Sequence, residues 1–302
     1  VDLVGQHINL ILNIVLAMIM LGLGISLRKE DFKQLFDQPK PLAIGLSAQM
    51  LLLPLIAFLL VYKSNLAPEL KVGAMILSVC PGGITSNLVS YFVKGNVALA
   101  VSLTVSNAFL SLFSIPIMIN VFIGYFMKGS DIQNEVHLPF LSTMIEIFAI
   151  TIVPAGIGML LRYRLGKRIL ELQRVINIAL PILLLLVFAF KFLAGTQSGG
   201  ASVTKMDIVQ LTPIVIGLNV LSMFFGYLIG TPFGLSFKNR ITISVEVGLH
   251  NTALALLIAS QKLGVSEMEK PALVYALFSF FVTFFVAWVL MRLRLYRLKK
   301  RG

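Results

Sequence analysis

The sequence predicts an all-α integral membrane protein of nine transmembrane helices, arranged as an inverted-topology repeat with one broken helix in each half. Three observations lead there. Stretches of about 20 apolar residues recur along the whole chain, each long enough to cross a hydrocarbon core of about 30 Å. Lysine and arginine concentrate on alternate connections between them, as membrane topology requires. Two stretches are interrupted midway by residues ill suited to a lipid-facing helix: Cys80-Pro81-Gly82-Gly83-Ile84-Thr85-Ser86-Asn87 and Val245-Glu246-Val247-Gly248-Leu249-His250-Asn251-Thr252.

Of 302 residues, 58% are hydrophobic and 13% charged, against about 25% charged in soluble domains. Mean hydropathy is +0.93. No room is left for a separate soluble domain, so 1–302 reads as one membrane domain. The net charge of +12 is dispersed over short loops, which argues against nucleic acid and suits anionic lipid heads of a bilayer. The single cysteine, Cys80, forms no intrachain disulfide and reads as a small apolar filler. The chain opens on Val1 without Met, so removed N-terminal sequence is an expectation. Residues 1–27 lack the basic start of a signal peptide.

In order, the spanning segments are 8–27; 41–62, carrying the amide Gln49; 72–92, holding the first break; 97–122, with Ser102, Thr104, Ser106 and Asn107; 138–161, with Glu146; 175–194, with Lys191; 208–230, with Asn219; 241–261, holding the second break; and 271–291. The odd connections and the C-terminus carry 18 basic residues; the N-terminus and even connections carry 6. This places the N-terminus outside and the C-terminus in the cytoplasm, across the inner (plasma) membrane. Gln49 precedes one broken segment and Asn219 the other, and an intact segment follows each. Segments 2 and 7 lie five crossings apart, so the two copies run in opposite directions, the first lacking its opening helix.

A carboxylate in hydrocarbon is expensive, so Glu246 is expected to face a cation, a proton or a cavity. Gln49, Ser86, Asn87, Thr104 and Asn251 offer hard oxygen donors in the same apolar helices, which favours a cation. For Ser102 and Ser106 the better reading is a hydrogen bond between helices. Pro81-Gly82-Gly83 breaks the helix and starts a new one, whose free N–H groups attract an anion. A matching start falls near His250-Asn251-Thr252, which points to an organic anion as cargo. His250 reads as a hydrogen-bonded core histidine, with neither His7 nor His137 placed to complete a metal site. Glu146 and Lys191 read equally as a pair across adjacent helices or as a lysine reaching the interface beside a protonated or cavity-facing glutamate.

These motifs, with Lys94-Gly95-Asn96-Val97-Ala98-Leu99 and Glu246-Val247-Gly248-Leu249-His250-Asn251, resemble the bile acid:sodium symporter family over essentially the whole chain. The resemblance implies a core, approximately 41–122 and 208–291, in which the broken helices cross, and a panel, approximately 8–27 and 138–194, that moves against it. It implies two sodium ions. Ser86, Asn87, Thr104 and Glu246 would hold the first; Gln49 and Glu246, with oxygens around Val247, Leu249 and His250, the second. Cargo would lie near Thr85, Asn87 and Asn251, with Thr283 from the last segment. Ala100 stands where a relative has a serine of the first site, and His250 where relatives often have a glutamine of the second. Both leave the stoichiometry open.

The function expected is sodium-coupled uptake of an organic anion, a bile acid or a small carboxylate such as pantoate, by alternating access. A cation/proton antiporter of this architecture would want closely placed membrane carboxylates, where this core has Glu246 alone. A metalloid exporter would use Cys80 as a soft ligand in surroundings that are oxygen-rich. A non-transporting ligand sensor is separated from a transporter by accumulation assays. An enzyme is not expected, since no nucleophile–base pair and no nucleotide loop is present. The working unit is taken as a monomer.

Overall fold

The computed structural model describes residues 3–27, 38–129, 136–166 and 169–299. Several basic residues of the orientation argument, including Arg28, Lys29, Lys33, Lys167, Arg168, Lys300 and Arg301, lie outside them. Among the described residues every regular element is helical: α1 Leu3–Ser26, α2 Pro39–Tyr62, α3 Pro68–Val79, α4 Ile84–Phe92, α5 Val97–Phe126, α6 Phe140–Leu165, α7 Ile169–Leu193, α8 Lys205–Ile229, α9 Phe237–Gly248, α10 Thr252–Leu257 continuing as a π-helical turn Ile258–Leu263, and α11 Lys270–Lys299. Seven helices are long and apolar enough to cross a membrane, α9 and α10 together counting as one; Ile178–Leu193 is a shorter apolar helix.

Local chemistry sets the ends. The Asn96 side chain accepts from the Leu99 N–H at the start of α5, and Thr204 and Asp207 form a reciprocal capping box on α8. Pro54 and Pro154 lack the N–H that would bond back to residues 50 and 150. The turns Ala48–Leu52 and Phe148–Ile152 relax into π geometry at those places.

Leu51, Leu55, Phe113, Val121, Leu185 and Phe281 are exposed apolar side chains that suit acyl chains. The span through α9 and α10 differs from the rest. Its most apolar window is 94% buried, against 22–44% in the other spans, so this broken helix is the centre of the protein.

Helix α1 packs on α6 and α7, while α8 packs on α9, α11 and α2, and α3 on α2, α5 and α11. The first group is fitted at glycines. A Cβ at Gly158 would overlap the Leu21 carbonyl, and one at Gly24 the Ala155 carbonyl. Close backbone approach of this kind is how helices associate where lipid removes the hydrophobic drive. Gly158→Leu is therefore expected to lower the melting temperature by the equivalent of about 1–3 kcal/mol. Gly156→Ala, with open space around its Cβ, should leave the temperature unchanged or raised; scanning calorimetry of both variants in detergent checks this.

One candidate contact is corrected. Glu146 and Lys191 do not pair, because α1 lies against both of their helices, which touch each other little. Lys191 Nζ instead lies 3.1 Å from Glu269 Oε2, both side chains buried, and Glu146 pairs with Lys262.

Candidate functional site: a buried carboxylate between two interrupted helices

Helix α3 ends at Val79 because Cys80 turns extended (φ −73°, ψ 140°) before Pro81-Gly82-Gly83, and α4 restarts at Ile84. Helix α9 ends at Gly248 because Leu249 turns extended (φ −116°, ψ 117°). Asn251 then caps α10, its side chain accepting from the Leu254 N–H at 3.0 Å. The two breaks bond directly: the Asn251 N–H donates to the Pro81 carbonyl at 2.8 Å. One N–H and one carbonyl freed by the two breaks thus satisfy each other, as burial in a membrane protein requires.

Glu246 is fully buried on the last turn of α9. Thr104 on α5 donates to its Oε2 at 3.0 Å and lies 3.3 Å from Asn87 Oδ1. The Ser86 hydroxyl, which donates to the Gly83 carbonyl at 2.7 Å, lies within reach of the same carboxyl group. Gln49 on α2 donates through Nε2 to the Glu246 backbone carbonyl at 3.0 Å. Glu246 Oε1 and Gln49 Oε1 are both buried and have no protein partner. Around Gly82 the crowding is informative. A Cβ there would sit 2.8 Å from Glu246 Oε2, 3.3 Å from Ser86 Oγ and 3.6 Å from the Leu249 carbonyl oxygen. Three oxygens surround a space that only glycine leaves open. Hard oxygen donors around a buried acid suit an alkali cation.

The structure thus brings Ser86, Asn87, Thr104, Glu246 and Gln49 together, with the backbone of Val247 and Leu249 buried beside them. His250 is buried as a core residue, its ring 5.4 Å from that of Tyr275, but its Nε2 lacks the hydrogen bond expected of it. Ser102 Oγ is likewise buried without a partner rather than joining two helices. Cys80 is buried, as a filler would be.

In front of the breaks lies a cavity of about 300 Å³. Thr85, Asn251 and Thr252 give it a polar end, and Leu16, Met20 and Leu184 from α1 and α7 give it apolar walls. Since the Asn251 Oδ1 is committed to the cap, its amide Nδ2 remains as a donor. Asn87 faces Thr104 rather than lining this cavity. Thr283 is fully buried and does not line the cavity, its hydroxyl lying 3.0 Å from Asn219 Nδ2. Sequence reasoning missed Tyr275, whose hydroxyl donates to the Gly248 carbonyl. An aromatic residue in an apolar run carries no signal that would have found it.

Two helices interrupted back to back around an oxygen-lined carboxylate, inside an otherwise apolar bundle, define a multi-pass membrane protein of the secondary-transporter type of architecture. Residues 13–199 match the Sodium Bile acid symporter family, and the chain belongs to that family, one of symporters rather than enzymes. It is similar to the probable sodium/metabolite cotransporter BASS1, chloroplastic, of Oryza sativa subsp. japonica (30% identity over 246 residues, 81% of this chain and 57% of that protein). It is similar also to the uncharacterized sodium-dependent transporter YocS of Bacillus subtilis (27% over 249 residues, 82% and 73%). The ileal sodium/bile acid cotransporter of Homo sapiens matches at 24% over 295 residues, 95% and 82% of the two chains. The chain spans little more than half the length of the rice protein.

Proposed function

We propose that this protein is a sodium-coupled symporter of an organic anion that works by alternating access. The observation that carries the reading is Glu246: fully buried, with one carboxylate oxygen unpartnered, the other beside Thr104 and the space at Gly82, and Ser86 within reach of the group. A carboxylate so placed calls for a cation. Sodium is the ion that relatives' names specify, and two ions are proposed. One would be held by Ser86, Asn87, Thr104 and Glu246, the other by Gln49, Glu246 and the backbone around Val247, Leu249 and His250. The anion binds in the cavity against Thr85 and Asn251, with bile acids and small carboxylates such as pantoate as candidate cargo.

In this reading the chain crosses the plasma membrane nine times as an inverted repeat, N-terminus outside. Helices α3 and α4 make one broken crossing, α9 and α10 the other. Helices α1, α6 and α7 form the panel; the rest form the core. The heaviest packing runs within each set, α1 on α6 and α7 and α8 on α9 and α11, with lighter packing of α5 on α6, α1 on α10 and α7 on α11 joining them; this supports that division, and the cavity lies between the two sets. Sodium behind the breaks fixes their backbone, cargo binds in front, and the sets rock. Coupling requires that cargo tighten sodium as much as sodium tightens cargo.

A thermal-shift screen of carboxylates in sodium and in potassium tests the proposal, followed by uptake of the best ligand into proteoliposomes. Sodium-specific stabilisation that grows with cargo is the expected result. Cargo stabilisation of equal size in potassium sinks the coupling. In the same assay Gly82→Ala, whose Cβ intrudes on Glu246 Oε2, is expected to lose the sodium response while still folding.

A further inference from the structure

The second break is held by a cluster that the sodium assignment does not use, and of which only Thr283 was expected to meet cargo. Asn219 of α8 places its Nδ2 2.7 Å from the Gly248 carbonyl oxygen, 3.1 Å from the Tyr275 hydroxyl and 3.0 Å from the Thr283 hydroxyl. The Tyr275 hydroxyl donates to the same Gly248 carbonyl, and its ring carries the His250 imidazole. Asn219, Tyr275 and Thr283 are all buried.

Two donors on one carbonyl fill both of its lone pairs. The Gly248 oxygen is thereby withdrawn from any ion and fixed toward α8 and α11. Leu249, the next residue, is extended, and in extended backbone successive carbonyls point to opposite sides. Its oxygen faces Gly82, on the side where Glu246 Oε2 and Ser86 Oγ also point. We propose that Tyr275 and Asn219 are positioning residues of the ion site: by pinning the Gly248 carbonyl on one side of the unwound strand, they turn the Leu249 carbonyl toward Glu246 on the other. Thr283 holds the Asn219 amide in place for this. The proposal rests on the sodium reading given above and assigns these side chains to the ion rather than to cargo.

The test reads sodium without cargo. Purified protein is melted in sodium and potassium mixtures of constant ionic strength, and the sodium concentration giving half the stabilisation is compared among variants. Tyr275→Phe keeps the ring under His250 and removes only the hydroxyl. Its half-saturating concentration is expected to rise about ten-fold or more, the range for losing a group that orients a metal ligand. Thr283→Val leaves both donors on Gly248 and is expected to shift it in the same direction by less. Should Tyr275→Phe not fold, Thr283→Val decides, and a several-fold rise sustains the assignment. A variant that melts lower in potassium yet responds at the wild-type sodium concentration makes the cluster packing alone and overturns the inference. Wild-type protein that melts alike in both salts overturns the sodium reading itself, and this inference with it.

Discussion

Glu246→Gln is expected to abolish sodium-driven accumulation, leaving only the sodium-independent background, while the protein folds and inserts normally. The amide matches the carboxylate in shape and can still accept from Thr104, which donates to Oε2 at 3.0 Å. What it lacks is the charge. A buried cation is held chiefly by its counter-charge, because the neutral oxygens of Ser86, Asn87 and Gln49 cannot offset its lost hydration alone. The same substitution removes a buried acid whose Oε1 has no protein partner. The melting temperature in potassium is therefore expected to hold or rise, since an uncompensated buried charge is a liability to the fold and the amide that replaces it is neutral. The sodium-induced rise in melting temperature should vanish. The two readouts move apart only if Glu246 is an ion ligand. A structural glutamate would lose stability in both salts together, and a Gln variant that still concentrates cargo would refute the scheme.

The sequence showed this site unusually well, because hydrocarbon punishes polar residues and so advertises them. Pro81-Gly82-Gly83 and Glu246 stand out against apolar surroundings, and the structure sets them against one another where the two breaks meet. The oxygen donors Gln49, Ser86 and Thr104 were visible for the same reason. Partners were not. Glu146 and Lys191 read as neighbours on consecutive helices, yet α1 lies against both helices, and each residue bonds to the stretch 260–269 instead. Chain order does not say which helix packs between two others. Tyr275 was silent because a tyrosine in an apolar helix looks the same whether it packs, meets lipid or caps a carbonyl. Thr283 was visible as polar, but which face of α11 looked toward Asn219 depends on packing that an evenly apolar helix does not encode.

Linking Asn13 to Gln261 is expected to stop transport and to release it on reduction. These residues belong to a polar seam joining the two helix sets proposed to move. The Asn13 and Gln261 side chains exchange hydrogen bonds of 3.0 and 2.8 Å. Gln261 Nε2 also donates to the Asn9 carbonyl at 3.1 Å, and Ser260 donates to Asn9 Oδ1 at 2.9 Å. Lys191 reaches Ser260 at 3.1 Å and Glu269, and Lys262 reaches Glu146. Helices α1, α6 and α7 thus each bond to one stretch, the π turn after α10 and the short helix Ser266–Glu269. The seam must part if these sets are to separate, because it ties α1 and α7, beyond their cavity-lining residues Leu16 and Leu184, to the other set. In a Cys80→Ala background, which removes the single native thiol, Asn13→Cys with Gln261→Cys is treated with a short bifunctional thiosulfonate. Uptake of labelled taurocholate or pantoate into proteoliposomes is expected to fall to background, to recover with reductant, and to stay unchanged in each single-cysteine variant. Full uptake by the linked protein would mean that these two sets of helices do not separate here. The moving boundary would then have to be sought elsewhere in the bundle.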